Sequence, residues 1–576
     1  MHTRINSFIF RTNCEIVKYG FLIFIIFLLL SLNRTFSISN EEKKTIQIIH
    51  ADLIQNNENQ DFVLIGNIHL KYDKYHLFCD KVIYEKKNHK FHGTGNVRLT
   101  SGKNKIISQN IVGNFFDFQL SGKVVLYHEK TKLTADTINF NLKKKLLRAV
   151  NNVVLFFDKI KLTTNMLEYN LMLNQIFYKK KSILHYGDYT ICSKEGFFYI
   201  NKKKIELKHE IKLIGKNYTV YANTLVYLFK QDQIHFHDSA IIVQNTNFDN
   251  FIYTKKAMFS FRKKIFLFEN YVSIHYNGKI VRGEYLFFDQ NKKCGFMRNI
   301  FLENTKKKYF LISSGYGKFD LHSGSLILKQ NPKIIKTSKN NLVFIYSNIL
   351  KINLKKNDTY SIQAFSIKSF FLNETENIQG TCNFFHYESS NGDMKFYGNP
   401  ILWFHNQKIT GKTIYIQNDE KNDFLIKNIK IIKNASYIEK INSEEFNQIE
   451  GDIITGFFNK ENYLEKVIIQ GNINSIFFLS SNKEKKIINK SSCEILSIYL
   501  DKSKKIRKIF CEKKARSELI PIDQKTPKKF LYLSKFDWKE KDKPKKNQKL
   551  LVHKEIEKYK KESFLEKETI KSMVKK

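Results

Sequence analysis

The residues best placed to do chemistry are the run His235-Phe236-His237-Asp238. Two histidines two apart on a strand share one face and could ligate a metal. No third ligand is evident near them, so an exposed strand is the plainer account. Asp52, Asp80 and Asp136 come next. An acid/base pair would be unique in the chain, whereas these acids return once per repeat and read as bend formers. The cysteines Cys14, Cys79, Cys192, Cys294, Cys382, Cys493 and Cys511 are scattered. None sits at CxxC spacing, so they form neither a zinc pattern nor a compact disulfide framework, and some are expected to be free buried residues. No P-loop, GxSxG, HExxH or GxGxxG phosphate loop occurs. The sequence therefore predicts no enzyme, no cofactor and no metal.

The elements that hold these residues are strands. The chain is 42% hydrophobic and 14% aromatic, with 50 Phe and 29 Tyr, far too apolar for a disordered protein. Aromatic and β-branched residues of this kind favour pleated, half-buried surfaces. The net charge of +42 comes from 97 Lys and Arg against 55 Asp and Glu. It is mostly Lys spread along the whole chain, which reads as a codon bias of an AT-rich genome, with attraction to anions as a secondary benefit. Arg, the residue suited to bidentate phosphate recognition, is sparse.

The amino terminus carries Arg4, Arg11 and Lys18 ahead of the apolar run Gly20–Leu32. That run is short for a membrane span and fits a signal-peptide core. Residues 1–39 are accordingly expected to be a signal peptide or an amino-terminal anchor, and the protein to be exported.

From about residue 45 to 515 the apolar period is two, interrupted regularly. Four consecutive stretches share one design: Phe62–Tyr84, Phe91–Gly113, Phe118–Phe140 and Leu147–Tyr169. Each has an alternating strand with Gly or Asn in mid-run, a polar turn, then a second strand containing apolar-x-small-[Asp/Asn/Gln]. The small position falls at Cys79, Ser108, Ala135 and Thr164, and the signature continues more loosely at Ser193, Ala222, Thr254, Gly283, Ser313, Ser347, Gly380 and Gly411. The period is about 29 residues, in the range of a repeat architecture.

In the second strand Leu133 and Ala135 share one phase of alternation, and Ile138 and Phe140 the other. A one-residue slip would turn the apolar side outward on a flat sheet. A bulge or bend at Asp136-Thr137, Asn165-Met166 and Asn223-Thr224 would restore it. Each strand would then fold over itself, giving two sheets across one apolar interior. Its inward residues in the best-defined repeats are Val97, Leu99, Val124, Leu126, Leu133, Ile138, Val153, Leu155 and Leu162. Taken singly each reads as core; as a set they could line a groove for acyl chains.

Ile48–Asp52, the repeated Gly66-Asn67-Ile68 and Gly95-Asn96-Val97 units, Val467–Phe478 with Ser491–Leu500 and Ile506–Ile522, and the closing Leu531–Pro544 (LYLSKFDWKEKDKP) together resemble the LptA/OstA family of lipopolysaccharide-transport proteins, in its long Bacteroidetes-type form. Lys543 stands where that family's closing element would lead one to expect Arg. The resemblance implies an all-β, elongated, folded-over antiparallel β-jelly-roll. It would lie in the periplasm, as a bridge shielding the acyl chains of lipopolysaccharide or a related lipid on the way to the outer membrane. Implied partners are LptD-type and LptC-type transport proteins and end-to-end self-association, with no nucleic acid. The expected organisation is a first β-repeat section over 45–329, a second, less regular one over 330–520 with a candidate joint at Asn331–Asn341, and a basic tail over 521–576, poorly ordered or helical. Two other classes fit the residues: an exported structural solenoid or adhesin with a closed core, and a polyanion-binding surface protein. A parallel β-helix enzyme acting on polysaccharide fits less well, since it would need a unique carboxylate cluster.

Overall fold

The structure is a computed structural model. It describes residues 46–540 except 57–60, 73, 103, 115–116, 129–130, 142, 158–159, 171, 174, 200, 305–309, 339–340, 356–358, 374–377, 420–421, 462, 481–485, 503–505 and 524–525, together with residues 543, 557, 561, 568 and 570. The amino-terminal segment 1–39 and most of the tail beyond Lys543 lie outside the described residues. Among the described residues no helix is long and apolar enough to cross a membrane.

Strands make up nearly all the regular structure, 38 of them among the described residues. The first ten are β1 (Gln47–His50), β2 (Leu53–Asn56), β3 (Phe62–Tyr72), β4 (Tyr75–Glu85), β5 (Lys90–Ser101), β6 (Asn104–Gly113), β7 (Asp117–His128), β8 (Thr131–Asn141), β9 (Leu146–Phe157) and β10 (Ile160–Asn170). From β3 onward each pairs antiparallel with the next as a meander of hairpins. The chain divides into two compact units: one runs to Asn270 and includes Ile570, the other covers Tyr271–Glu568.

The hairpins from β3 to β10, and the one joining Lys204–Ile214 to Tyr218–Leu228, are creased at mid-length in the same way, whereas the strands broken at 179–181 and 237–239 have no left-handed residue there. Between β5 and β6, Thr94 faces Asn110 and Val97 faces Ser108, so Gly95 and Asn96 together face Gln109 alone. Gly66-Asn67 stand against Asp80, Gly122-Lys123 against Asp136, and Asn151-Asn152 against Asn165. The paired residues are left-handed: φ is +75° at Gly95 and +46° at Asn96, and Gly122, Lys123, Asn151 and Asn152 behave alike. This bulge bends the strand and sharpens its twist.

The phase slip expected at Asp136-Thr137, Asn165-Met166 and Asn223-Thr224 is present. In β8 the buried residues are Leu133 and Ala135, then Ile138. The unusual backbone, however, sits in the partner strand, and Asp136, Asn165 and Asn223 keep ordinary φ. Two inserted residues preserve a period of two, so alternation runs unbroken through the strand that is bent. Only the strand with the single opposing residue slips.

The short polar residue has a different task from bending. The Asp80 carboxylate accepts a hydrogen bond from the Asn96 side chain at 2.9 Å, and Asp52 from Asn67, Asp136 from Asn152 and Asp452 from Asn472 at 2.8–3.0 Å. A methyl on Gly95 would fall 2.3 Å from that Asp80 carboxylate. Glycine is therefore required there twice over, for its φ and for the approach.

The small residue beside each crease is buried at Cys79, Ser108, Ala135, Thr164, Ser193, Ala222 and Thr254. Ser108, Thr164, Thr254 and Ser347 donate to the carbonyl two residues on. By the same bond and burial the crease residues later in the chain are Ser314 and Cys382, one and two residues from the expected Ser313 and Gly380. The looser sequence spacing in the second unit reflects longer limbs. Its strands reach 19 residues at Asn422–Lys440 and 17 at Leu464–Ser480, against 10–12 in β3–β10. The left-handed pairs persist at Lys433-Asn434 and Gly471-Asn472. The expected joint, Asn331–Asn341, contains the strand Lys333–Ser338, directly after a left-handed Gln330-Asn331 pair.

In the second unit the closing segment crosses the sheet's outer face. Gln448 bonds the backbone of Leu531 and Leu533, and the Glu450 carboxylate accepts from the Lys535 amide. Trp538 packs edge-on to the buried Trp403, with ring centroids 5.0 Å apart. The Lys408 side chain, 1% exposed, lies over the Trp403 ring and donates to the Asp537 carboxylate at 3.1 Å and its carbonyl at 2.7 Å. Burial alone would raise the Asp537 carboxyl, but bonds from Lys408 and Lys539 outweigh it and hold it below the usual carboxylate range. Such a group stabilises the folded state above its unfolded pKa and loses that effect as pH falls through the folded one, here from about pH 4 downward. In the first unit Ile570 packs with Ile241, Val243 and Phe251.

Two outcomes follow for this frame. Gly95→Ala should cost about 2 kcal/mol or more in urea unfolding, since it adds a clash to a left-handed φ. Gly102→Ala, where φ is +58° and nothing lies within 4 Å, should cost about 1 kcal/mol; equal losses would refute the crease argument. Asp537→Asn should cost about 1–2 kcal/mol at pH 7, modest because Asp537 is half exposed and its carbonyl remains. That loss should shrink below pH 4, and adding Lys408→Met should recover part of it.

Candidate functional site

Creasing places one face of every strand inside. On the limb beyond the crease the register lines up Leu99, Ile106, Leu126, Leu133, Leu155, Leu162 and Leu184 as consecutive cross-strand partners. Five of the nine expected groove residues, Leu99, Leu126, Leu133, Leu155 and Leu162, thus form one row. Val97, Val124 and Val153 form a second row next to it, against the crease, each fully buried. Ile138 lies on the other limb, between Leu120 and Ala149. The leucine row is less uniform. Leu126, Leu133 and Leu162 are buried, whereas Leu99 and Leu155, like Leu70 and Leu77 before them, are only half-buried although they point inward.

A row that sequence reasoning left out lies on the second limb. Tyr84, Phe91, Gly113, Phe118, Phe140, Leu147 and Tyr169 are successive partners, and Phe118 stacks on Phe140 at 4.9 Å. Its signal was available, because an aromatic residue opens or closes nearly every strand of the repeat at that phase. Burial pushes the Tyr169 phenol well above its ordinary range and Tyr178 up to about 12, the latter against a 2.7 Å hydrogen bond with Ser193. Stacked rings and branched aliphatic chains offer an apolar lining with scarcely a charge, worth about 25 cal/mol per Å² of apolar surface taken from water.

The residues first considered for chemistry are used otherwise. His235 bonds Gln233 at 3.1 Å and stacks with His237, and its pKa is lowered by burial and by His237. Among the described residues no three His, Cys, Asp or Glu side chains are grouped to hold a metal. Asp52, Asp80 and Asp136 each hold a crease asparagine. Cys493 and Cys511 form a disulfide between the strands Lys486–Leu500 and Ile506–Glu512. The wide spacing hid this pair, which only the strand register brings together. Burial, and secondarily Asp80, pushes the Cys79 thiol up to about 12, and burial pushes Cys382 equally high.

Each unit ends on an open edge. Among the described residues β1 and β2 pair only with β3, and Ile48, Ile49, Leu53 and Ile54 are about half exposed there. At the other end, among the described residues, the strands Ile506–Glu512 and Arg516–Ile522 pair only with Lys486–Leu500, and Phe510 and Leu519 are exposed.

With this geometry in hand, residues 43–147 and 133–223 match the profile of the OstA-like protein family. Together the two matches span residues 43–223. The crystal structure of LptH from Pseudomonas aeruginosa is described as that of the LptA-homologous periplasmic component of a lipopolysaccharide transport device. It is similar over 26% of this chain and 86% of its own, at 11% identity and a TM-score of 0.16. No curated protein sequence matches the chain. The matched segment contains the leucine and aromatic rows and the amino-terminal open edge.

At pH 8, iodoacetamide should label the folded protein at Cys192 and Cys294, which are partly exposed, and spare Cys79 and Cys382. Peptide mapping with and without denaturant reads this out. Rapid labelling of Cys79 in the folded state would show that the crease is not closed.

Proposed function

We propose that this protein is an exported lipid carrier of the OstA-like kind, a periplasmic component that holds the acyl chains of lipopolysaccharide or a related lipid between its two limbs during transport to the outer membrane. Support comes first from the half-exposed inner leucines. A closed core would bury Leu70, Leu77, Leu99 and Leu155 as fully as it buries Val97 and Val124, yet these four point inward and still meet solvent. Apolar surface of that kind is normally removed from water by something else. The OstA-like match over residues 43–223 supports lipopolysaccharide transport as the setting for this reading.

The partners follow from the edges. A sheet ending in unpaired backbone and exposed isoleucines is a template for another strand, so β1–β2 and the strand Arg516–Ile522 are where LptC-type or LptD-type proteins, or a second copy of this chain, would continue the sheet. Groove residues in this reading are Val97, Leu99, Val124, Leu126, Leu133, Ile138, Val153, Leu155 and Leu162. No residue acts chemically on the cargo.

A photo-reactive side chain at Leu126 or Leu155 should crosslink to lipid in cells, identified by mass spectrometry. The same probe at Tyr127 or Phe156, on the outer face, should give at least several-fold less. Equal yields at inner and outer positions, or no lipid adduct at all, would favour a closed structural core.

A further inference from the structure

The two limbs of the first unit end in two rims of hairpin turns, and alternate connections along the sequence go to alternate rims. Beyond the leucine row lie the described connection residues 74, 102, 187–188, 215–217 and 245–246. Beyond the aromatic row lie 86–89, 114, 143–145, 172–173, 201–203, 229–232 and 261–264. Their charges differ sharply. Among the described residues the leucine-side connections hold two lysines, Lys74 and Lys216, and one acid, Asp188, whereas the aromatic-side connections hold eleven lysines and arginines and one acid, Asp232. A lysine bias of the whole chain would load both rims alike, because they are drawn alternately from one sequence. It does not account for a difference between them.

The charge is also patterned. It falls on every second turn, at Lys86-Lys87, Lys143–Lys145, Lys202-Lys203 and Arg262–Lys264, whereas Asn114 and 172–173 are uncharged and Lys230 is offset by Asp232. Four strands separate neighbouring clusters, so they recur about every 19 Å along the rim. Lys145, Lys203 and Lys264 occupy the left-handed position of their turns, with φ of +49°, +49° and +53°. Gly or Asn would fill that position with less strain. Lysine recurs there at a local conformational cost, a pattern expected where function overrides local preference.

We propose that this rim holds the anionic headgroup of the lipid whose acyl chains lie between the limbs, so that the cargo is a phosphorylated lipid. The inference rests on the carrier reading above. Tails against Phe91, Phe118 and Phe140 would bring the head to the turns directly beyond those rings. There, ammonium groups form charge-assisted hydrogen bonds to phosphate oxygens. The leucine-side rim, with Lys74 and Lys216 against eleven basic residues opposite, offers far fewer such contacts, so the lipid would favour one orientation across the trough.

The test uses the full chain and a synthetic acylated disaccharide in two forms, one bearing two phosphates and one without, with identical chains. Each is titrated below its aggregation concentration at low and physiological salt. Wild type should bind the phosphorylated form at least tenfold tighter, by a margin that narrows as salt screens it. Lys144→Glu, Lys145→Glu, Lys203→Glu and Lys264→Glu combined should remove that margin and leave affinity for the phosphate-free form within twofold. Lys74→Glu with Lys216→Glu, on the other rim, should leave the margin in place. Replacing the same four lysines by Gln should reduce the margin partway, and this variant guards against misfolding from added acids. Equal affinity of wild type for both forms would overturn the headgroup rim and leave the carrier reading standing. Failure to bind either form would overturn both. A margin lost equally from either rim would reduce the effect to net charge.

Discussion

The bulge at each crease is the constraint on which the rest depends. Two left-handed residues opposing one ordinary residue let a strand bend without exposing its apolar side, and repeating that arrangement bends every strand along one line. The recurring Asn–Asp hydrogen bond couples neighbouring creases, since Asp80 and Asp136 each face one left-handed pair and bond the asparagine of a later one. Were the creases out of register, neither the leucine row nor the aromatic row would be continuous. A trough of this kind therefore arises from a local backbone device, applied serially, rather than from long-range packing of globular elements.

The inner surface that results is graded. At the crease, valines and small residues close off solvent completely; farther out the cover is uneven, with Leu126, Leu133 and Leu162 buried but Leu99, Leu155, Phe91, Phe118 and Phe140 only partly covered. The residues with no solvent contact sit where the limbs meet, and the partly covered ones sit toward the rims. The chemistry of the rims then differs from limb to limb, giving an otherwise uniform trough a distinct polar side.

The second unit uses the same device with longer limbs and an added covering. Its closing segment lies across the outer face, fixed by Gln448, Glu450 and the Trp403–Trp538 contact, and Lys408 is buried beneath it. A lysine with 1% exposure is tolerable only because Asp537 and an indole face satisfy its charge. The disulfide between Cys493 and Cys511 fastens the last creased strand, where an open edge would otherwise fray.

The sequence alone determined the strand period, the step of about 29 residues, the small residue at each crease and which positions point inward, because alternation and bulkiness are local properties that survive in one dimension. The place of the left-handed residues was hidden, since an even insertion leaves alternation intact; only the pairing register shows that Gly95-Asn96, and not Gln109, carries the bend. The exposure of Leu99 and Leu155 against the burial of Val97 and Val153 was likewise undecided by type, all four being apolar and in phase. The segregation of lysines to one rim is written in the sequence but becomes visible only when the fold sorts alternate turns onto opposite sides.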